Sequence, residues 1–108
     1  MTDLELAREK LAGHTICLCG NGRYLTSDKR GIAPMMDWIA EGIDLTGYSA
    51  ADIVVGKAAA MLFVKSGIAA VYGKTISRSA KAYLESHGVS LSYGTLTEYI
   101  INREGTDI

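Results

Sequence analysis

The sequence predicts an α/β domain with one mixed β-sheet. Three kinds of pattern support this prediction: capping residues at helix starts, an Asn-Gly turn between two strand-like segments, and a strand-helix-strand unit from Ile68 to Tyr93. A strand-helix-strand unit places its two strands parallel, with a right-handed crossover, whereas the strands of a hairpin are antiparallel. Both arrangements in one layered domain require a mixed sheet with helices packed on it.

The first helix and the hairpin have the clearest local signals. Thr2-Asp3-Leu4-Glu5 has the spacing of a capping box, which starts a helix running to about Leu11. Two segments rich in strand-forming residues follow, His14–Cys19 and Arg23–Thr26. Gly20-Asn21-Gly22 lies between them, and an Asn-Gly turn in this setting predicts a β-hairpin near the N-terminus.

The middle of the chain predicts one helix and leaves one segment undecided. Pro34 fits the first turn of a helix that ends near Gly42, with a buried stripe of Ile32, Met35, Met36, Ile39 and Ile43. Within residues 44–55, Ser49–Asp52 has capping-box spacing, whereas Ile53–Val55 favours a strand. The sequence alone leaves both interpretations open for residues 50–55.

The second half alternates strands and helices. An apolar strand is predicted at Ile68–Tyr72, and a half-exposed strand at Val89–Tyr93. Between them a helix closed by Gly88 presents one face made of Ile76, Ala80, Tyr83, Leu84 and His87. Thr95–Glu98 again has capping-box spacing and predicts a final helix to about Arg103.

Composition limits the class of protein. The chain has 108 residues, 48% hydrophobic and 21% charged, which fits a single domain over residues 1–108. Its formal net charge of −1 provides no basic field for nucleic-acid binding. The longest apolar stretch, Ile53–Val64, is interrupted by Lys57 and is too short to span a bilayer. We therefore expect a cytoplasmic protein with neither a nucleic acid nor a membrane as its partner.

Two cysteines, Cys17 and Cys19, lie on the first predicted strand. We expect them to point to opposite faces, to form no mutual disulfide and to remain free thiols in a reducing compartment. A structural role is favoured because free cysteines are among the most buried residues. The alternative is that one thiol reaches a pocket from the hairpin and acts as a nucleophile, which requires a lowered pKa.

The order of hairpin, helix, strand, helix and strand resembles the cytidine-deaminase-like fold. In that family the first core helix opens with a His or Cys ligand and a catalytic Glu two residues later, and the second opens with Pro-Cys-x-x-Cys. The matching positions hold Gly56 and Ala58 in the first motif and Ser79 and Ala82 in the second. The resemblance therefore implies the fold without zinc, other cofactors or zinc-dependent deamination. It is closer to uncharacterised bacterial domains whose first core helix opens with Gly-Lys-Ala-Ala-Ala.

The same resemblance implies a candidate binding site. In this fold the two core helices start on one side of the sheet, so their backbone N–H groups face one pocket. Lys57 and Arg78 would stand at the two helix starts, with Gly56 allowing close approach of a ligand. The site would bind a small anionic or nucleotide-like metabolite through residues Gly56, Lys57, Ala58, Thr75, Ser77, Arg78 and Ser79.

Other interpretations of these residues stay open. Lys57 fits an ion pair with Asp52 or Asp28, or a side chain that reaches solvent, and Arg78 fits an ordinary solvated helix start. Two further functions also stay open. One is an enzyme without a metal that uses Lys57 or a cysteine as its reactive group, and the other is a structural subunit of a homo-oligomer.

Overall fold

Helices cover both faces of a single five-stranded sheet. The structure, a computed structural model, describes residues 1–98 and residue 100. In chain order, its elements are α1 (Asp3–Lys10), β1 (Ile16–Gly20), β2 (Arg23–Ser27), α2 (Ala33–Ala40), β3 (Ser49–Val55), α3 (Lys57–Lys65), β4 (Ala70–Ser77), α4 (Arg78–Ser86) and β5 (Ser90–Thr97). The strand order is β2-β1-β3-β4-β5. β1 is antiparallel to β2 and β3, whereas β3, β4 and β5 are mutually parallel, which confirms the predicted mixed sheet.

Two separate apolar clusters define three layers. The larger cluster joins β1, β3 and β4 to helices α2, α3 and α4 through side chains such as Leu18, Met35, Phe63, Val71 and Leu84. The smaller cluster lies between the other face of the sheet and α1, and it contains Ala7, Leu11, Cys17, Cys19 and Ala51. Burial of these apolar side chains is the main favourable contribution to packing. The architecture is therefore α/β/α.

The local signals at the N-terminus are confirmed. The Thr2 side chain accepts a hydrogen bond from the Glu5 N–H at 3.1 Å, and the Glu5 carboxylate accepts one from the Thr2 N–H at 2.9 Å. The hairpin turn uses Asn21 at φ 51° and Gly22 at φ 74°, a pair of positive values that suits a two-residue hairpin. The capping box and the turn are therefore present at the residues where the local sequence predicts them.

The buried face of α2 differs from the predicted stripe. Met35 is buried as expected, but Met36 is 48% exposed and Trp38 packs in the core. The buried side of α2 carries Pro34, Met35 and Trp38. Apolar residues on both sides of this short helix made the stripe ambiguous in the sequence.

The undecided segment is strand β3. It pairs with β1 on one side and β4 on the other, and most of its residues are buried. Ser49–Asp52 have capping-box spacing but do not cap a helix, because they lie inside the strand. Pairing with a strand on each side determines the conformation of this segment, and that pairing is a tertiary interaction.

Two boundaries in the second half were predicted wrongly. Ile76, assigned to a helix face, is in β4 and pairs with Leu96 of β5. Thr95–Thr97, assigned to a helix start, belong to β5, so the predicted cap is wrong there. The rest of that predicted helix, to Arg103, lies outside the described residues apart from Glu98 and Ile100. Parallel pairing extended both strands beyond their apolar runs.

No helix in the described part of the chain is long and apolar enough to cross a membrane.

Gly20 is required where the hairpin passes under Tyr48. A Cβ atom at residue 20 would lie 2.6 Å from the Cγ and Cδ1 atoms of the Tyr48 ring. Tyr48 is only 2% exposed, and its hydroxyl accepts a 2.7 Å hydrogen bond from Nε of Arg23. The ring is therefore held from two sides and has little freedom to move away.

We predict that Gly20→Ala lowers the free energy of unfolding by about 1–3 kcal/mol through overpacking. Urea denaturation measures the change. In a Tyr48→Ala background, which removes the two ring atoms, the same substitution should cost much less. An equal cost in both backgrounds would show that the ring contact is not the cause.

Candidate functional site

Helices α3 and α4 begin side by side at one edge of the sheet. Val55 and Ile76, close to the ends of β3 and β4, are paired in parallel register. Gly56 and Ser77 follow directly and are the N-cap residues of the two helices. Neighbouring strands lie about 4.8 Å apart, so the two helix starts are adjacent. This juxtaposition brings together the residues predicted to form the site.

The start of α3 has no capping side chain. Gly56 is buried and extended at φ −97° and ψ 179°, and no side chain accepts a hydrogen bond from the first turn. Lys57 is exposed and Ala58 is half-buried. The first turn contains no acidic residue. A cation, Lys57, therefore stands at the positive end of the helix dipole, and the first turn of α3 has no acidic residue to offset it.

The ion pairs predicted as alternatives for Lys57 are not observed. Asp28 contacts His14, with its Oδ1 atom 2.6 Å from Nδ1 of the imidazole. Asp52 accepts a hydrogen bond from the Val54 N–H at 3.2 Å. Among the described residues, Lys57 has no salt-bridge partner, so its ammonium group faces solvent.

The start of α4 is capped and partly neutralised. Ser77 is fully buried, and its Oγ accepts a hydrogen bond from the Ala80 N–H at 3.1 Å. The Ser77 and Ser79 hydroxyls lie 3.2 Å apart. Nε of Arg78 donates to the Glu98 carboxylate at 3.0 Å, and both side chains are exposed. The Ser77 hydroxyl therefore serves the helix, whereas Arg78 remains accessible.

Thr75 lies two residues before Ser77 on β4. It is half-buried and pairs with Val54 of β3 and Thr95 of β5. It is therefore close to the helix starts along the chain, although its backbone belongs to the sheet.

The residues at the deaminase zinc positions do not fit a metal ion. Gly56, Ser79 and Ala82 offer one hydroxyl and no imidazole, thiolate or carboxylate, which are the usual ligands of zinc. Ala58 offers no general acid or base at the catalytic position. Over the described residues, no group of three or more His, Cys, Asp or Glu side chains is placed to hold a metal. We derive no reaction step through zinc.

The cysteines contradict the sequence prediction. Alternate residues of a strand share a face, so Cys17 and Cys19 point the same way, with their Sγ atoms 3.9 Å apart. Both are free, fully buried and packed under α1, on the face opposite α3 and α4. The structure therefore does not bring these thiols together with the helix starts.

The environment of the thiols opposes nucleophilic chemistry. Burial raises the pKa of Cys17 to about 12, with a further rise from Cys19, and burial also raises the pKa of Cys19. A nucleophilic thiol needs the opposite shift. The packing role favoured from the sequence agrees with this environment.

Sequence reasoning missed the buried carboxyl group of Asp52. The residue lies in β3 opposite Ile16 and Gly73 and is 6% exposed. Burial raises its pKa to about 7, although hydrogen bonds from the Val54 and Ile53 N–H groups act in the other direction. The available signal was a lone acidic residue in an otherwise apolar strand, Ala50 to Val55, but the strand itself was undecided.

The order of elements, the three layers and the two adjacent helix starts define a deaminase-like α/β/α domain whose residues at the zinc positions are not zinc ligands. Residues 6–108 match the DUF1893 family profile, described as a domain of unknown function, and the chain belongs to that family. No curated protein sequence matches the chain.

Two solved structures from Thermotoga maritima have a similar fold. One is a DUF1893 family protein, with a TM-score of 0.81 and 22% identity over 100% of this chain and 76% of that one. The other is a diaminohydroxyphosphoribosylaminopyrimidine deaminase/5-amino-6-(5-phosphoribosylamino)uracil reductase, with a TM-score of 0.55 and 15% identity. The second alignment covers 83% of this chain but only 34% of the bifunctional protein. At these identities the similarity establishes fold alone.

The raised pKa of Asp52 predicts a pH-dependent stability difference. The folded state holds this proton more tightly than the unfolded chain, so the contribution of Asp52 to stability falls as pH rises from about 4 to 7. The asparagine in Asp52→Asn does not ionise, so this variant does not lose stability in this way as pH rises. Over that pH range, the free energy of unfolding of the variant should therefore rise by about 2 to 4 kcal/mol relative to that of the wild type, as measured by urea denaturation.

Asp44→Asn is a control of opposite sign. Hydrogen bonds from the Thr46 side chain and then its backbone N–H hold the pKa of Asp44 below its usual value. Its stabilising contribution is lost as pH falls through that lowered pKa, so the variant should gain nothing on the wild type as pH rises. Parallel profiles for Asp52→Asn and the wild type would contradict the assignment.

The buried thiols predict slow alkylation. At pH 7.5 iodoacetamide should leave Cys17 and Cys19 unmodified in the folded protein, because both are fully buried and protonated. Intact-mass spectrometry should show two adducts after the same treatment in urea. Modification of the folded protein at the rate of the unfolded chain would disprove the structural role.

Proposed function

We propose that the chain is a binding module for a small anionic, nucleotide-like metabolite. The proposed site, called here the helix-start site, consists of Gly56, Lys57, Ala58, Thr75, Ser77, Arg78 and Ser79. An enzyme without a metal and a structural homo-oligomer remain predictions from the sequence.

The observation that carries the proposal is the charge at the two adjacent helix starts. Each helix begins with a cation, Lys57 or Arg78, and neither first turn contains an acidic residue. A cation near the positive end of a helix costs roughly 0.3–1 kcal/mol, and an anion there contributes a similar stabilisation. A bound anion would therefore be attracted by both helix ends and both side chains.

The uncapped start of α3 supplies donors for such an anion. N–H groups in the first turn of a helix lack partners within the helix, and no side chain caps them at Gly56. The absence of a side chain at residue 56 lets a ligand approach the backbone closely. Phosphate groups bind at helix starts through this combination of donors and dipole.

The contact between Arg78 and Glu98 is compatible with ligand binding. Both side chains are exposed, and an exposed ion pair contributes about 0–1 kcal/mol. A ligand with two negative charges would compete effectively with one solvated carboxylate. Arg78 would then exchange an internal partner for the ligand.

The nucleotide-like character of the ligand rests on a structural neighbour. The name of the deaminase/reductase describes a phosphorylated ribosyl-aminopyrimidine substrate. That substrate combines a phosphate with a ring that can form hydrogen bonds. The helix-start site offers cations and N–H donors of the kind that would bind the phosphate.

We predict that AMP, used as a probe, shifts the amide signals of residues 56–59 and 77–80 in a saturable NMR titration. The double variant Lys57→Ala/Arg78→Ala should bind at least about tenfold more weakly, a loss of about 1.4 kcal/mol. Lys65→Ala/Lys81→Ala is the matched control, because it removes two cations from the same helices outside the helix-start site. Equal affinity of the wild type and the Lys57/Arg78 variant would contradict the placement.

A further inference from the structure

An open cleft lies on the opposite side of the sheet from the helix-start site. Its walls come from the end of α1, the segment that leads into β1, and strands β3 and β4. Its volume is about 400 Å³, which falls within the range of sites for small molecules. The lining residues include Arg8, Leu11, His14, Ile53, Tyr72 and Lys74.

The charged residues that line this cleft are all basic. Arg8, His14 and Lys74 lie around it, and no carboxylate is among the lining residues. Within residues 1–98 and 100, neither Arg8 nor Lys74 has a salt-bridge partner. His14 contacts Asp28 through Nδ1, which leaves Nε2 as the ring nitrogen available to a ligand. Arg8 and Lys74 place two like charges on one cleft, and an anion between them would be attracted by both.

The Tyr72 ring orients Arg8. The guanidinium carbon lies 4.0 Å from the ring centroid, so the cation stacks against the aromatic face. A guanidinium held over a ring can still direct N–H groups towards a ligand. Those groups match the oxygen atoms of a phosphate in a bidentate arrangement. Lys74, two residues further along β4, adds a second cation on the same wall.

The remaining walls are partly apolar. Leu11 is nearly buried, and the Ile53 and Tyr72 side chains pack against the same small cluster under α1. An inorganic anion would leave this surface in contact with water, whereas an organic group on the phosphate would cover it.

We propose that this cleft binds the phosphate group of a small phosphate monoester, with Arg8, Lys74 and His14 on the phosphate and Leu11 and Ile53 on the organic part. This site shares no residue with the helix-start site. The inference therefore goes beyond the proposed function and does not depend on it.

The test is an NMR titration of the full chain with phenyl phosphate and, separately, inorganic phosphate at constant ionic strength. We expect saturable shifts at the amides of residues 11–14, 53 and 72–74, with phenyl phosphate bound more tightly. Arg8→Gln/Lys74→Gln should weaken binding of phenyl phosphate at least about tenfold. The control Lys10→Gln removes a cation of α1 that lies over Tyr24, outside the cleft, and should leave the affinity unchanged.

Three results would overturn the proposal. They are no saturable shift at the cleft amides, equal affinity in the Arg8/Lys74 variant, or binding of inorganic phosphate as tight as that of phenyl phosphate. The Lys57→Ala/Arg78→Ala variant separates this proposal from the helix-start site. It should keep full binding at the cleft, whether or not the helix-start site binds AMP.

Discussion

The parallel pairing of β3 with β4 is the constraint on which the rest of the structure depends. Because Val55 and Ile76 are in register, β3 and β4 end within one residue of each other at the same edge of the sheet. Both strands then continue directly into helices, and α3 and α4 pack on the same face as α2. The adjacent helix starts are a consequence of this register, since a slip of one strand would separate them and reverse the faces of its side chains.

The same edge of the sheet can serve different chemistry with few changes. In cytidine deaminases the positions at the two helix starts supply three metal ligands and a catalytic Glu. Here they hold a glycine, a serine and two alanines, with Lys57 and Arg78 beside them. The scaffold keeps the helix dipoles and the unpaired N–H groups, which belong to the backbone and do not depend on side chains. In the proposed function, an anion would use these backbone features where a deaminase uses a metal.

Prediction from the sequence succeeded where local chemistry determines the structure. The Thr2 cap, the Asn21-Gly22 turn and the strand-helix-strand unit were all correct for this reason. It failed where long-range pairing decides, as in β3 and in the extension of β5 over Thr95–Thr97. The position of the helix starts followed from the fold resemblance. The basic cleft brings Arg8 of α1 close to Lys74 of β4, and no local sequence pattern connects these two residues. Strand periodicity alone is enough to predict that Cys17 and Cys19 share a face, but the prediction applied it wrongly.

The cover that α1 provides for Cys17 and Cys19 has a consequence for dynamics. The helix contributes few buried side chains, mainly Ala7 with Leu11 at its end, so its separation from the sheet should require less free energy than global unfolding. Each separation would expose both thiols to solvent while the larger cluster stays packed. The reactivity of the two cysteines therefore reports the separation of α1 from the sheet. Their exchange rate with a disulfide reagent, followed against denaturant concentration, would report how often this layer opens on its own.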